Sequence, residues 1–197
     1  HLLHNALRQV LGEHVHQAGS MVGPDRLRFD FSNYEPVSAE QIAEIERLAN
    51  AETLDNTPTR VFETTKAEAD ELGAIAFFGD KYGDTVRVLE AGPSIELCGG
   101  THVAATGDIG TVKVVGESSI GSNLRRIEAI TGAASVALLQ RDEARLDEIA
   151  ALVGAPGDPL GGVERKLAEL AAKGDEIKQL RAQLATARRN AQVAAEG

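Results

Sequence analysis

The sequence predicts an α+β fold: an antiparallel sheet packed by helices over residues 1–132, then a helical tail over residues 133–197. Three observations predict it. Leu27-Arg28-Phe29-Asp30-Phe31 alternates apolar and polar side chains with a period of two, as a half-buried strand does. Stretches with three- and four-residue apolar spacing are interleaved with such strands. From Ala133 onward alanine, glutamate, arginine and lysine dominate, and strand patterns stop.

Residues 1–13 read as a helix, with Leu3, Leu7, Val10 and Leu11 on one face and Gly12 weakening its end. His1 and His4, three apart, project from neighbouring positions on it. A turn at Gly23-Pro24-Asp25 makes residues 17–31 a hairpin, with Leu27, Phe29 and Phe31 inward and Arg28 and Asp30 outward. Ser38-x-x-Gln41 is a capping box that opens a helix running to about Leu54 on Ile42, Ile45 and Leu48. Residues 59–64 read as a strand, and residues 66–72 as a short helix stopped by Gly73. Residues 74–78 lead into a glycine-bracketed loop, Gly79-Asp80-Lys81-Tyr82-Gly83-Asp84. Strands follow at 85–90 and 95–97, the second delivering the backbone to Cys98.

Beyond His102 a short helical piece ends at Gly107-Asp108, and strands follow at about 110–117 and 124–131. Arg125 and Arg126 are adjacent on the last strand and face opposite sides. One then points to a pocket or partner, or both are taken up by Glu117 and Glu128. The tail holds one helix to about Val153, a break over residues 154–159, and a second helix from about Gly162. Leu170, Ile177, Leu184 and Ala191 recur every seven residues, with a slip near Gly174. That pattern suits a coiled-coil seam or a packed helical hairpin.

The stretch with the most chemistry is Cys98-Gly99-Gly100-Thr101-His102, which holds the only cysteine and one of five histidines. A thiolate and an imidazole at this spacing can grip one metal ion if the chain turns tightly between them. Gly99 and Gly100 are expected to permit that turn through backbone angles closed to other residues. Sulfur with nitrogen favours zinc over magnesium or calcium. The remaining histidines, His1, His4, His14 and His16, lie at the start of the chain, so a third ligand implies a long-range clasp. The alternative is a buried cysteine acting as a small hydrophobe.

One cysteine rules out an internal disulfide and suits a reducing, cytoplasmic setting. No apolar run reaches the roughly 20 residues of a membrane span, and no signal peptide reads from the start. The net charge of −10 counts against this stretch gripping RNA unaided. The chain opens on histidine in an uncapped helix, and its only methionine is Met21, which reads as a piece of a longer protein.

His1-Leu2-Leu3-His4, Gln17-x-Gly19-Ser20, Arg28-Phe29-Asp30-Phe31, Phe78-Gly79-Asp80-Lys81-Tyr82-Gly83-Asp84, Cys98-Gly99-Gly100-Thr101-His102, Thr106-Gly107-Asp108-Ile109-Gly110 and Arg125-Arg126-Ile127-Glu128-Ala129 stand in a telling order. In that order they resemble the editing domain of the alanyl-tRNA synthetases, related to free-standing AlaX proteins and the threonyl-tRNA synthetase editing domain. The resemblance covers nearly all of residues 1–132, and the tail is similar to the start of the C-terminal oligomerisation region. It implies zinc as cofactor. The family's motif is H-x-x-x-H followed far downstream by C-x-x-x-H. His1 matches the second histidine of the first half, and Cys98 and His102 match the other half. The first histidine of that motif would precede His1, and His4 is not counted as a ligand.

The resemblance also implies hydrolysis of mischarged seryl- and glycyl-tRNA for alanine at its acceptor end, beside a parent enzyme that uses ATP to ligate alanine to tRNA. The physical need is general. A pocket shaped for alanine rejects glycine by only about 1–3 kcal/mol and rejects serine poorly, so a second site must remove errors. Gln17 corresponds to a glutamine of the editing pocket, and Gln17 and Cys98 are the catalytic candidates. Ser20 and Thr101 are candidates for the serine hydroxyl, or cap turns. Asp30 is a polar pocket residue or part of a solvated strand face. Implied partners are the alanine tRNA, the rest of the synthetase and a second copy through the tail, with no membrane. A zinc-stabilised binding or structural module that does no hydrolysis is the alternative.

Overall fold

The computed structural model describes residues 1–76 and 82–196. It divides into two compact units, His1–Leu138 and the chain from Leu139 onward. In the first unit, helix α1 (Leu2–Leu11) precedes strands β1 (Gln17–Val22) and β2 (Leu27–Ser32), then helix α2 (Ala39–Asp55). Strand β3 (Arg60–Thr65), helix α3 (Lys66–Glu71), and strands β4 (Thr85–Ala91) and β5 (Ser94–Leu97) follow. A 3-10 turn at Thr106–Ile109 leads to strands β6 (Lys113–Gly121) and β7 (Leu124–Ile130).

The strands form two antiparallel sheets, one ordered β1-β2-β7-β6 and the other β3-β4-β5. Phe29 and Phe31 face the core as expected, but the alternation in burial does not hold, because Asp30 between them is buried as well. Phe29 and Phe31 are buried with Ile127, Ala129 and Val114 against Leu3, Ala6 and Leu7 of α1 and Ile45 and Ala49 of α2. A smaller core of Ala69, Val86, Val88 and Leu97 lies under the second sheet. Both capping boxes are physical. The Gln41 N–H donates to Ser38 Oγ at 3.2 Å and the Ser38 N–H to Gln41 Oε1 at 2.9 Å, closing the start of α2. Thr65 and Glu68 make the same reciprocal pair on α3.

Two details differ from the sequence pattern, and one expectation falls outside the described residues. β6 runs on to Gly121, because each residue from Glu117 to Ser119 still faces a partner on β7 and Arg125 grips Glu117. Residues near Ile75 are drawn into the second sheet by a parallel bridge to Glu96. The Phe78–Asp84 motif falls partly on residues 77–81, which lie outside the described residues.

The second unit consists of the rest of α4 (Ala133–Val153) and of α5 (Pro159–Glu196). Gly162 abuts Val153 and Ala155, where a Cβ would come within 2.3 Å of the valine, so the connection between the helices is tight. Along α5 the heptad side chains Leu170, Ile177 and Leu184 are half or more exposed, so they do not form a packed hairpin with α4. No helix among the described residues is long and apolar enough to cross a membrane.

Candidate metal centre

β5 ends one residue before Cys98, and the chain then turns through Gly99 and Gly100 to His102. The glycines do not work as expected: neither adopts a positive φ. The turn is held from the side by Arg87 of β4, whose Nη1 donates to the carbonyl oxygens of Cys98 at 2.6 Å and Gly100 at 2.8 Å. The Cys98 N–H returns a bond to the Arg87 carbonyl at 3.1 Å. A Cβ on Gly100 would stand 3.5 Å from Cys98 Sγ and 3.8 Å from His102 Nε2, so its absence keeps space open beside both donors.

The clasp closes. One donor atom each from His1, Cys98 and His102 lies within 4.8 Å of the other two, and the His1 and His102 ring centroids are 5.3 Å apart. His1 comes from the start of α1, which its apolar face seats against the sheet. All three residues are half-buried.

Behind His1 stands Glu96, 1% exposed. Its Oε2 lies 2.8 Å from His1 Nδ1, while Oε1 lies 3.1 Å from His4 Nδ1 and accepts from Ser94 Oγ at 2.8 Å. Burial alone would raise the carboxyl pKa; the hydrogen bonds from His1 and His4 outweigh it and bring it down to about 2. Burial, reinforced by the His1 and Arg87 charges and opposed by Glu96, holds His102 below the usual imidazole range. A neutral imidazole is the form that ligates metals. His102 Nδ1 is buried without a partner.

These donors suit a metal ion: a thiol and two imidazoles, with Nδ1 of the His1 ring already engaged by Glu96. Two nitrogens with one sulfur match zinc. A cavity of about 210 Å³ adjoins the cluster, walled by His1, Thr101 and His102 with Leu89, Val103 and Val112.

Of the other candidates, Thr101 lines this cavity, whereas Gln17, Ser20 and Asp30 lie outside its lining. Gln17 Nε2 donates to Ser20 Oγ at 3.0 Å on edge strand β1. Asp30 is 7% exposed, not part of a solvated face, and takes two bonds from Arg126 at 2.7 and 2.8 Å. Sequence reasoning missed Glu96 and Arg87. No local pattern singles out Glu96, which reads as one residue of the strand that ends just before Cys98.

Residues 86–128 match the model of the threonyl and alanyl tRNA synthetase second additional domain. Across 94% of its length the chain is 50% identical to an alanine–tRNA ligase of Delftia acidovorans, covering 21% of that protein. It is 48% identical over 99% of its length to one from Acidithiobacillus ferridurans (22% of it). A third, from Desulforamulus reducens, is 50% identical over 79% of the chain, which covers 18% of that relative. Residues 86–128 thus resemble the threonyl and alanyl tRNA synthetase second additional domain, and the chain as a whole is similar to a stretch about one fifth the length of the alanine–tRNA ligases it matches.

Proposed function

We propose that residues 1–132 form an editing domain that hydrolyses the ester of seryl- or glycyl-tRNA for alanine, with zinc held by His1, Cys98 and His102. The observation that carries the reading is the convergence of those donors from opposite parts of the fold beside a cavity of about 210 Å³. The names of the matched relatives support the tRNA and the amino acid. Bound zinc would supply Lewis-acid polarisation and orient substrate or water.

The remaining work falls to the chain's own residues. The apolar wall of Leu89, Val103 and Val112 excludes water from one side of the site and leaves room for a small aminoacyl group. Thr101 offers a hydroxyl that can pair with the serine side chain. Water adds to the ester carbonyl, the bond to the ribose oxygen breaks, and that oxygen takes the proton as the free amino acid leaves. The roles of Gln17, Ser20 and Asp30 in substrate binding belong to the same reading. So do a cytoplasmic setting, a parent that ligates alanine to tRNA with ATP, and self-association through α5 from the tail at residues 133–197.

The test is deacylation of alanine tRNA charged with serine or with alanine. The expected result is fast loss of the serine ester, slow loss of the alanine ester, and loss of serine hydrolysis in Cys98→Ala. A serine ester that survives as long as in buffer, in a chain that still binds the tRNA, would instead favour a binding module.

A further inference from the structure

We propose that Glu96 is the positioning residue of this centre: it accepts a hydrogen bond from the Nδ1–H of His1 and so leaves the Nε2 lone pair of that ring for the cluster with Cys98 and His102. The proposal deepens the zinc reading above and rests on it for its functional consequence. The ring's protonation pattern is a property of the chain itself.

Three observations carry it. The first is burial with full pairing. An ionised carboxylate only accepts hydrogen bonds, so every polar neighbour it has must donate. Glu96 has three such neighbours, His1 Nδ1, His4 Nδ1 and Ser94 Oγ, at 2.8, 3.1 and 2.8 Å. Both rings are thereby set as the form with hydrogen on Nδ1.

The second concerns His4, which no ligand role explains. It is 1% exposed, its Nε2 meets no partner, and its ring lies 5.2 Å from that of Phe29. A bare Nε2 lone pair is what the Nδ1–H form leaves over. His4 therefore acts on Glu96: with Ser94 it occupies Oε1 and keeps Oε2 for His1. The third is geometric. Glu96 lies on β5, two residues before Cys98, so one short strand holds the group that aims one ligand and leads straight into another. Carboxylate partners of ligating histidines orient the ring and raise its basicity, and losing one costs about 10–100-fold in metal affinity.

The test uses Glu96→Leu and Glu96→Gln. Long-range 1H–15N spectra of the metal-free chain at about pH 8, above the ordinary imidazole range, report which ring nitrogen carries hydrogen. The native chain is expected to hold His1 and His4 both as Nδ1–H. In Glu96→Leu, His1 goes over to Nε2–H, and zinc affinity against a chromophoric chelator falls about 10–100-fold. Glu96→Gln keeps the shape but has one acceptor oxygen, so one of the two rings must change form; if that ring is His4, zinc affinity falls least. This variant decides the matter if Glu96→Leu does not fold. His1 already as Nε2–H in the native chain, or both rings unchanged in Glu96→Gln, overturns the proposal. Native protein that binds no zinc, yet shows the His1 change in Glu96→Leu, overturns the zinc reading and leaves the positioning role standing.

Discussion

At the scale of single residues, the Asp30–Arg126 pair ties β2 to β7 face to face. Its two parallel bonds follow the bidentate geometry that makes such pairs strong. Gly19 lies opposite Asp30 on β1. The Arg126 hydrogen bond, against the opposing effect of burial, holds the Asp30 carboxyl below its usual range. A depressed carboxyl pKa stabilises the fold above the unfolded value of about 3.9, and that contribution is lost as pH falls through the folded value. Asp30→Asn is therefore expected to cost about 1.5–3 kcal/mol at neutral pH, on the scale of hydrogen bonds to charged groups. Urea unfolding at neutral pH and near pH 3 checks it. The gap between variant and native chain narrows in acid; a gap independent of pH would remove the ion pair as its cause.

At the scale of elements, β4 and β5 act together as the frame of the Cys98–His102 turn. Arg87 of β4 holds the carbonyl oxygens of Cys98 and Gly100, just past the end of β5. Arg87→Met keeps much of the apolar stem and removes the donors. It is expected to weaken metal binding several-fold while leaving the helical signal of the chain unchanged, as chelator competition and circular dichroism would report. Unaltered affinity would mean that the turn holds itself. On α2, Ser38→Ala removes the acceptor for the Gln41 N–H and is expected to cost about 1 kcal/mol in urea unfolding.

Most elements were legible because their causes are local: the alternation at Leu27–Phe31, the Ser38 and Gln41 pair, the composition change at Ala133. What was not legible depends on partners distant in sequence. β2 lies beside β7, and Asp30 meets Arg126 across 96 positions, which no local spacing announces. Glu96 reads as a strand residue of no special kind until α1 docks and closes it off. The glycine pair misled, since neither takes unusual backbone angles and only Gly100 leaves space beside Sγ.

At the scale of the whole molecule, the second unit has the character of an unfinished surface. Leu167, Leu170, Ile177, Leu180 and Leu184 stay 50–66% exposed on a helix of 38 residues. Seven-residue spacing of such side chains is the ordinary seam between two helices. Sedimentation of the chain with and without residues 154–197 is expected to give an associating species and a monomer; equal monomer masses would remove self-association through α5.

The bond between His1 and Glu96 spans 95 positions. Loops of that size close late, since their entropy must be met before the contact rewards it. The β2–β7 pairing closes a loop just as long, so the ion-binding triad is expected to ripen with the first sheet and not ahead of it. In stopped-flow refolding, added zinc should leave the rate at which the chain compacts untouched and report only its final step, so that metal capture would serve as a clock for the completion of folding rather than its trigger.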